Sequence, residues 1–134
     1  MSSIAHIALL ADAPFKAGVS VCVLTEIQDY EAALQEMHRV LVPDGILAVT
    51  IVHPYFASPP GGGWECCPVD SARPEDRLYW RVQDYLRRTW ETWHWEGVGT
   101  ATGFHRPLLD YMQALLSPGF RLPTSSSLVL HQSW

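Results

Sequence analysis

The run from Val23 to Phe56, VLTEIQDYEAALQEMHRVLVPDGILAVTIVHPYF, constrains this chain more than any other part. It reads as an amphipathic helix, a tight turn, a buried strand and a His-Pro loop. That order belongs to a parallel α/β sheet whose chemistry gathers at a strand's carboxyl end. Tyr30, Ala33, Leu34, Met37, Val40 and Leu41 recur at three- and four-residue spacing and share one helical face. Asp29 is placed to accept hydrogen bonds at the helix start, and Arg39 lies towards the negative end of its dipole. Pro43, Asp44 and Gly45 cannot continue the helix and predict a sharp reversal. Ile46 to Val52 has almost no polar side chain, which predicts a strand buried on both faces between parallel neighbours.

The text changes after Phe56. Residues 57–74 are rich in Pro and Gly, and predict an irregular lid or connector. Gly61 to Gly63 lack the spacing of a nucleotide loop and the Lys-Ser or Lys-Thr that follows one, so a hinge explains them better. Glu75 to Arg88 reads as a helix with Leu78, Val82, Tyr85 and Leu86 on one side. Thr89 to Thr102 is rich in Trp, Thr and Val and is broken at Gly97 and Gly99, which suggests a hairpin. Trp90, Trp93 and Trp95 could form a stacking platform, but large rings are more often buried against a sheet or another subunit, and burial is the expectation here. Pro107 opens a second helix whose apolar face is Leu108, Tyr111, Met112, Leu115 and Leu116. Gly119 ends it, and Phe120 to Leu122 begin a strand.

Composition narrows the function classes. The 134 residues suffice for one domain, and the net charge of −5 comes without a basic stripe, which disfavours a nucleic-acid partner. No apolar run is long enough for a bilayer, and the amino terminus lacks the basic-then-apolar order of a secretory signal. Three cysteines cannot close a disulfide framework, and the adjacent Cys66 and Cys67 do not converge on one tetrahedral ion. The expectation is free thiols, no metal and a cytoplasmic location.

Glu36, Arg39, Val40, Leu41, Pro43, Asp44 and Gly45 carry a further signal. The segment EAALQEMHRVLVPDGILAVTIVHPYF resembles class I S-adenosylmethionine-dependent methyltransferases of the small-molecule type, where an E-x-x-RVL-x-PGG helix and turn lead into the fifth strand of a Rossmann-like sheet. Asp44 stands in place of the first glycine. GFHRPLLDYMQALLSPGFRL, Gly103 to Leu122, is similar to the family's late helix and the strand after it. LLADAPF, Leu9 to Phe15, resembles a stretch whose acid contacts the adenine amino group, although the spacing to the next strand, Ala17 to Ser20, is shorter than usual. The tail PTSSSLVLHQSW departs from the family's usual ending.

The resemblance implies an α/β, Rossmann-like methyltransferase sheet, partial and comprising the carboxyl-terminal half, as one domain over 1–134. It implies S-adenosyl-L-methionine as cofactor, with Asp12 at the adenine and Val21 and Cys22 lining the cofactor pocket by backbone. The family's Gly-rich loop and ribose-binding acid have no counterpart in this sequence. Methyl transfer chiefly needs an aligned acceptor, and a base only when that acceptor is protonated. His53, at the carboxyl end of the central strand, is the expected acceptor contact or base, with a loop-shaping hydrogen bond as an equal alternative. His105 and Arg106 are expected substrate contacts at the rim, while Arg106 could equally cap a carbonyl or pair with Asp110. The expected activity is methyl transfer to a small molecule, with missing strands supplied by a complementing chain or through a homo-oligomer. The alternative is an inactive remnant serving as a binding or assembly subunit. A Trp-rich carbohydrate module is weaker, because such modules are usually all-β.

Overall fold

A computed structural model describes residues 12, 15–56, 62–69, 71–97 and 99–122. Most of LLADAPF, part of the Pro/Gly-rich loop and the tail after Leu122 lie outside the described residues. The chain runs β1 (Phe15–Val21), α1 (Tyr30–Val40), β2 (Leu41–Thr50), β3 (Gly63–Cys66), β4 (Arg77–Arg81), β5 (Thr89–Trp95), β6 (Gly99–His105) and α2 (Leu108–Leu116).

β1 and β2 pair in parallel, from Ala17 opposite Ile46 to Val21 opposite Thr50. α1 is the crossover between them. Asp29 caps it as the sequence predicts, its carboxylate accepting from the Ala32 amide at 3.1 Å. The sharp reversal expected at Pro43–Gly45 is not formed: α1 ends at Val40, β2 already runs parallel to β1 from Leu41, and Pro43–Gly45 make a bulge within it, between Leu41 opposite Phe15 and Ile46 opposite Ala17. Asp44 there adopts φ +61°, the left-handed region where glycine carries no side-chain penalty. Gly45 is required for a different reason. A β-carbon on it would stand 2.8 Å from the Val42 carbonyl oxygen.

α1 and α2 pack on one face of the β1–β2 pair. Leu24, Tyr30, Leu34, Tyr111 and Ala114 form the core, and Leu47, Val49 and Ile51 turn towards it from the sheet. Such burial stabilises by about 1.5–3 kcal/mol per large apolar side chain. Within this core the Tyr111 hydroxyl has no hydrogen-bond partner among the described residues. Among the described residues no helix covers the opposite sheet face. Val19, Val21, Ile46 and Val52 are exposed, Val19 by 73% and Ile46 by 69%. The expectation that Ile46 to Val52 is buried on both faces is therefore corrected. Among the described residues only β1 flanks β2, and helices cover only one side, so an apolar strand alternates between buried and exposed positions.

Two antiparallel hairpins complete the fold. The β5–β6 hairpin pairs Thr89 with His105 and Trp95 with Gly99, close to the expected limits. The expected helix over Glu75–Arg88 is not formed. Pro74–Asp76 make one 3₁₀ turn, and β4 then pairs with β3, which itself lies within the loop read as irregular. Trp64 and Trp80 face each other across β3 and β4 with ring centroids 5.3 Å apart, the kind of aromatic cross-strand pair that stabilises a sheet. Leu78 and Leu86, two members of the predicted helical face, are exposed, so that face had nothing to pack on. α2 ends near Gly119 (φ +111°), as expected, but Phe120 to Leu122 form no strand. Phe120 instead packs edge-on against His38 at 4.9 Å.

Candidate functional site

Parallel strands that end together leave a crevice outside their carboxyl ends. Here Val21 sits opposite Thr50, and the Cys22 amide extends the ladder by donating to the Thr50 carbonyl at 2.9 Å. Cys22 then turns the chain with φ +54°, and the Thr25 hydroxyl fixes that turn by donating to the Cys22 carbonyl at 2.9 Å. After β2, Pro54 is buried in a turn closed by the Phe56 amide donating to the His53 carbonyl at 2.8 Å. The structure thus brings Val21, Cys22 and His53 to one end of the sheet.

His53 shapes its own loop. Its Nδ1 accepts from the Tyr55 amide at 3.1 Å, which places the proton of the neutral ring on Nε2. In this arrangement the ring offers a donor to a ligand. Its face is lined by Tyr55 and Phe56, each with a centroid 6.4 Å away.

Asp12 is not brought to this crevice. It precedes β1 and forms an ion pair with Arg39, near the end of α1 that feeds into β2. The strand Phe15–Val21 lies between it and the crevice, and from the first to the last of its residues it rises about 20 Å at about 3.3 Å per residue.

His105 and Arg106 lie at the junction of β6 with α2. The His105 Nε2 is 2.8 Å from the Tyr85 carbonyl, and its ring packs edge-on against Tyr85 at 5.9 Å. The Tyr85 hydroxyl in turn accepts from the Leu108 amide at 3.0 Å, giving α2 a cap that Pro107 cannot provide. Arg106 is buried. Its guanidinium donates to the carbonyls of Leu24, Ile27 and Gln28 at 3.3, 2.8 and 2.9 Å. It also stacks over Tyr30 at 4.3 Å and Phe104 at 4.9 Å. Burial, aided by the neighbouring Glu31 charge, pushes the Tyr30 hydroxyl up to about 12, so that ring stays neutral beneath the cation. Of the two roles open to Arg106, carbonyl capping is the one formed. Asp110 is held instead by Arg88, whose Nε and Nη2 donate at 2.6 and 3.0 Å. Those bonds hold the Asp110 carboxyl below the usual carboxylate range despite its burial.

Next to the strand ends lies a cleft of about 390 Å³. Thr25 and Glu26 line it from the turn after β1, and Val52 and Phe56 from the loop after β2. Trp80 comes from β4, and the remaining wall is the β5–β6 hairpin with Trp90, Glu91, Trp93 and Phe104. The Phe104 amide donates to the Thr25 carbonyl at 2.7 Å and ties the hairpin to the crevice. The Trp80 indole nitrogen donates to the Tyr55 carbonyl at 3.0 Å, joining β4 to the His53 loop. His105 also lines this cleft, and Arg106 does not. The expected burial of the tryptophans does not hold within this chain. Trp90, Trp93 and Trp95 are 71%, 41% and 54% exposed: among the described residues β5 and β6 form a ribbon of two strands with no third strand beside them. Glu26, Glu91, Trp80 and Phe104 were missed as site residues. The alternation of Glu91 and Trp93 along one strand face was the available signal.

A second cavity, about 200 Å³, lies towards the opposite end of the strands between α1 and β1, lined by Phe15, Met37, Val40 and Leu47 among others. Among the described residues no group of three or more His, Cys, Asp or Glu side chains could hold a metal ion.

Residues 2–49 match the family model described as a methyltransferase domain. Among solved structures, the chain is similar to an S-adenosylmethionine dependent methyltransferase from Mesorhizobium loti, with a TM-score of 0.67 and 24% identity over 84% of this chain and 48% of that one. It is also similar to a protein from Listeria monocytogenes assigned as an S-adenosylmethionine dependent methyltransferase, with a TM-score of 0.74 and 24% identity over 92% of this chain and 55% of that one. No curated protein matches. The chain thus spans about half the length of these solved structures. Its parallel β1–α1–β2 unit and the two structural likenesses together give the chain the Rossmann-like fold of class I S-adenosylmethionine-dependent methyltransferases, in part.

Proposed function

We propose that this protein takes part in S-adenosylmethionine-dependent methyl transfer to a small-molecule acceptor, as one domain in a reducing, cytoplasmic setting. The observation that carries this reading is the joint ending of β1 and β2 beside an aromatic cleft. The residues fit the cofactor in part. Val21 and Cys22 present backbone at the crevice, whereas Asp12 precedes β1, a strand about 20 Å long that ends there. A complementing chain or a second copy would meet the protein at this crevice. The bound cofactor would supply a methyl group already activated for transfer. His53 Nε2 would orient the acceptor by hydrogen bonding, while His105 shapes the rim and Arg106 fixes it through the Leu24–Gln28 carbonyls. All three cysteines are free thiols, which supports the reducing location.

A binding or assembly subunit without activity is the second reading. The remote Asp12 and the exposed apolar sheet face favour it. Calorimetric titration with S-adenosylhomocysteine separates the two. Saturable heat is expected for the transferase, and no heat at millimolar ligand would remove its support.

A further inference from the structure

The cleft beside the strand ends has an unusual chemical balance. Phe56, Trp80, Trp90, Trp93 and Phe104 supply ring surface, and Glu26 and Glu91 supply the charge. Neither Lys nor Arg lines it. Nearby cations are engaged elsewhere: Arg88 on Asp110, Arg81 on Glu65, Arg77 over Trp64, and Arg106 on three carbonyls. Among the described residues Glu26 and Glu91 have no ion pair. The chain's net charge of −5 adds to the negative field.

The hairpin register sharpens this arrangement. Glu91 lies opposite Gly103, and Trp93, two residues on, shares its strand face. With no side chain at Gly103, the Trp93 ring folds over that α-carbon, and Glu91 and Trp93 both line the cleft. Aromatic faces carry negative quadrupole charge and attract ammonium groups, most strongly where several rings and a carboxylate converge. An anion would meet two carboxylates without a compensating cation, and a neutral apolar ligand would desolvate them without return.

We infer that this cleft binds a small organic cation through an ammonium head group held between the tryptophan rings and Glu26 and Glu91. The inference rests on the transferase reading only in making the bound cation either the methylated product or the acceptor in its protonated form, which gives its proton to water and becomes the free amine before transfer. In that case the amine lone pair forms the new N–C bond while the S–C bond breaks and its electron pair stays on sulfur. Nitrogen becomes cationic, and an N–H proton, where present, passes to water. The rings and carboxylates stabilise the charge so formed.

The test titrates the protein with choline and with 3,3-dimethylbutan-1-ol, its uncharged carbon isostere, reading tryptophan fluorescence and calorimetric heat. Choline is expected to bind about tenfold tighter than the isostere, and Glu91→Gln to weaken choline about fivefold while leaving the isostere unchanged. Glu91 is exposed, so its substitution leaves folding intact, and Glu26→Gln serves as an independent second variant. Equal affinity for the two probes, or no binding of either at millimolar concentration, would overturn the inference. Neither titration contains S-adenosylmethionine, so this outcome is independent of whether the chain binds that cofactor.

Discussion

The ring of Trp93 covers the α-carbon of Gly103 so closely that a β-carbon there would overlap its Cη2 and Cζ3 atoms. One residue without a side chain thereby sets the position of an aromatic wall of the cleft. Gly103→Ala is expected to swing the half-exposed indole outwards. Because only the far end of one side chain moves, stability should change by less than about 1 kcal/mol, while tryptophan fluorescence shifts and choline binding weakens. An unchanged emission spectrum would contradict this packing.

Arg106 links β6 to the segment before α1 through three carbonyls. Its removal leaves buried acceptors unpaired, so Arg106→Ala is expected to cost about 2–4 kcal/mol in urea denaturation. Arg106→Lys should recover only part of that loss, since an ammonium cannot present the planar fork that reaches several carbonyls at once. Full recovery by lysine would show that charge alone matters.

Acid stability should report the Asp110–Arg88 pair. The folded-state pKa of Asp110 is depressed, so its contribution is present above the unfolded value of about 3.9 and is lost as pH falls through the lower folded value. Asp110→Asn should flatten this part of the pH–stability curve, measured by denaturant midpoint between neutral and strongly acid solution. Arg88 is largely exposed, and the effect is correspondingly modest. A variant curve parallel to the parent's would exclude the pair as the cause.

The apolar face of the β1–β2 pair, with Val19 and Ile46 well exposed, should drive self-association. Light scattering at micromolar concentration is expected to show species larger than a monomer, and Val19→Lys together with Ile46→Lys to reduce them. A monodisperse parent monomer would contradict this expectation.

The parts legible in the sequence are those decided by local chemistry. The periodicity that makes α1, the Asp29 cap and the Pro107 start of α2 each depend on residues a turn apart, and each is present. The hairpin was legible from its Trp and Thr content with Gly97 and Gly99 at the turn. What escaped was non-local. Trp64 and Trp80 are sixteen positions apart, and their pairing turns a helical pattern into β4. Asp110 has Arg106 four residues before it, yet Arg88 reaches it from another loop and leaves Arg106 to the carbonyls. A strand as apolar as Ile46–Val52 reads as doubly buried whether or not a second layer lies over it. The cleft draws Glu26, Trp80 and Glu91 from three separate segments, a convergence that spacing along the chain does not encode.

The most direct measurement follows backbone amide resonances during addition of S-adenosylhomocysteine. The account predicts saturable shifts concentrated at Val21, Cys22, Val52 and His53, with Asp12 and Arg39 unmoved. Shifts centred on Asp12, or none at millimolar ligand, would contradict the assignment of the crevice at the ends of β1 and β2.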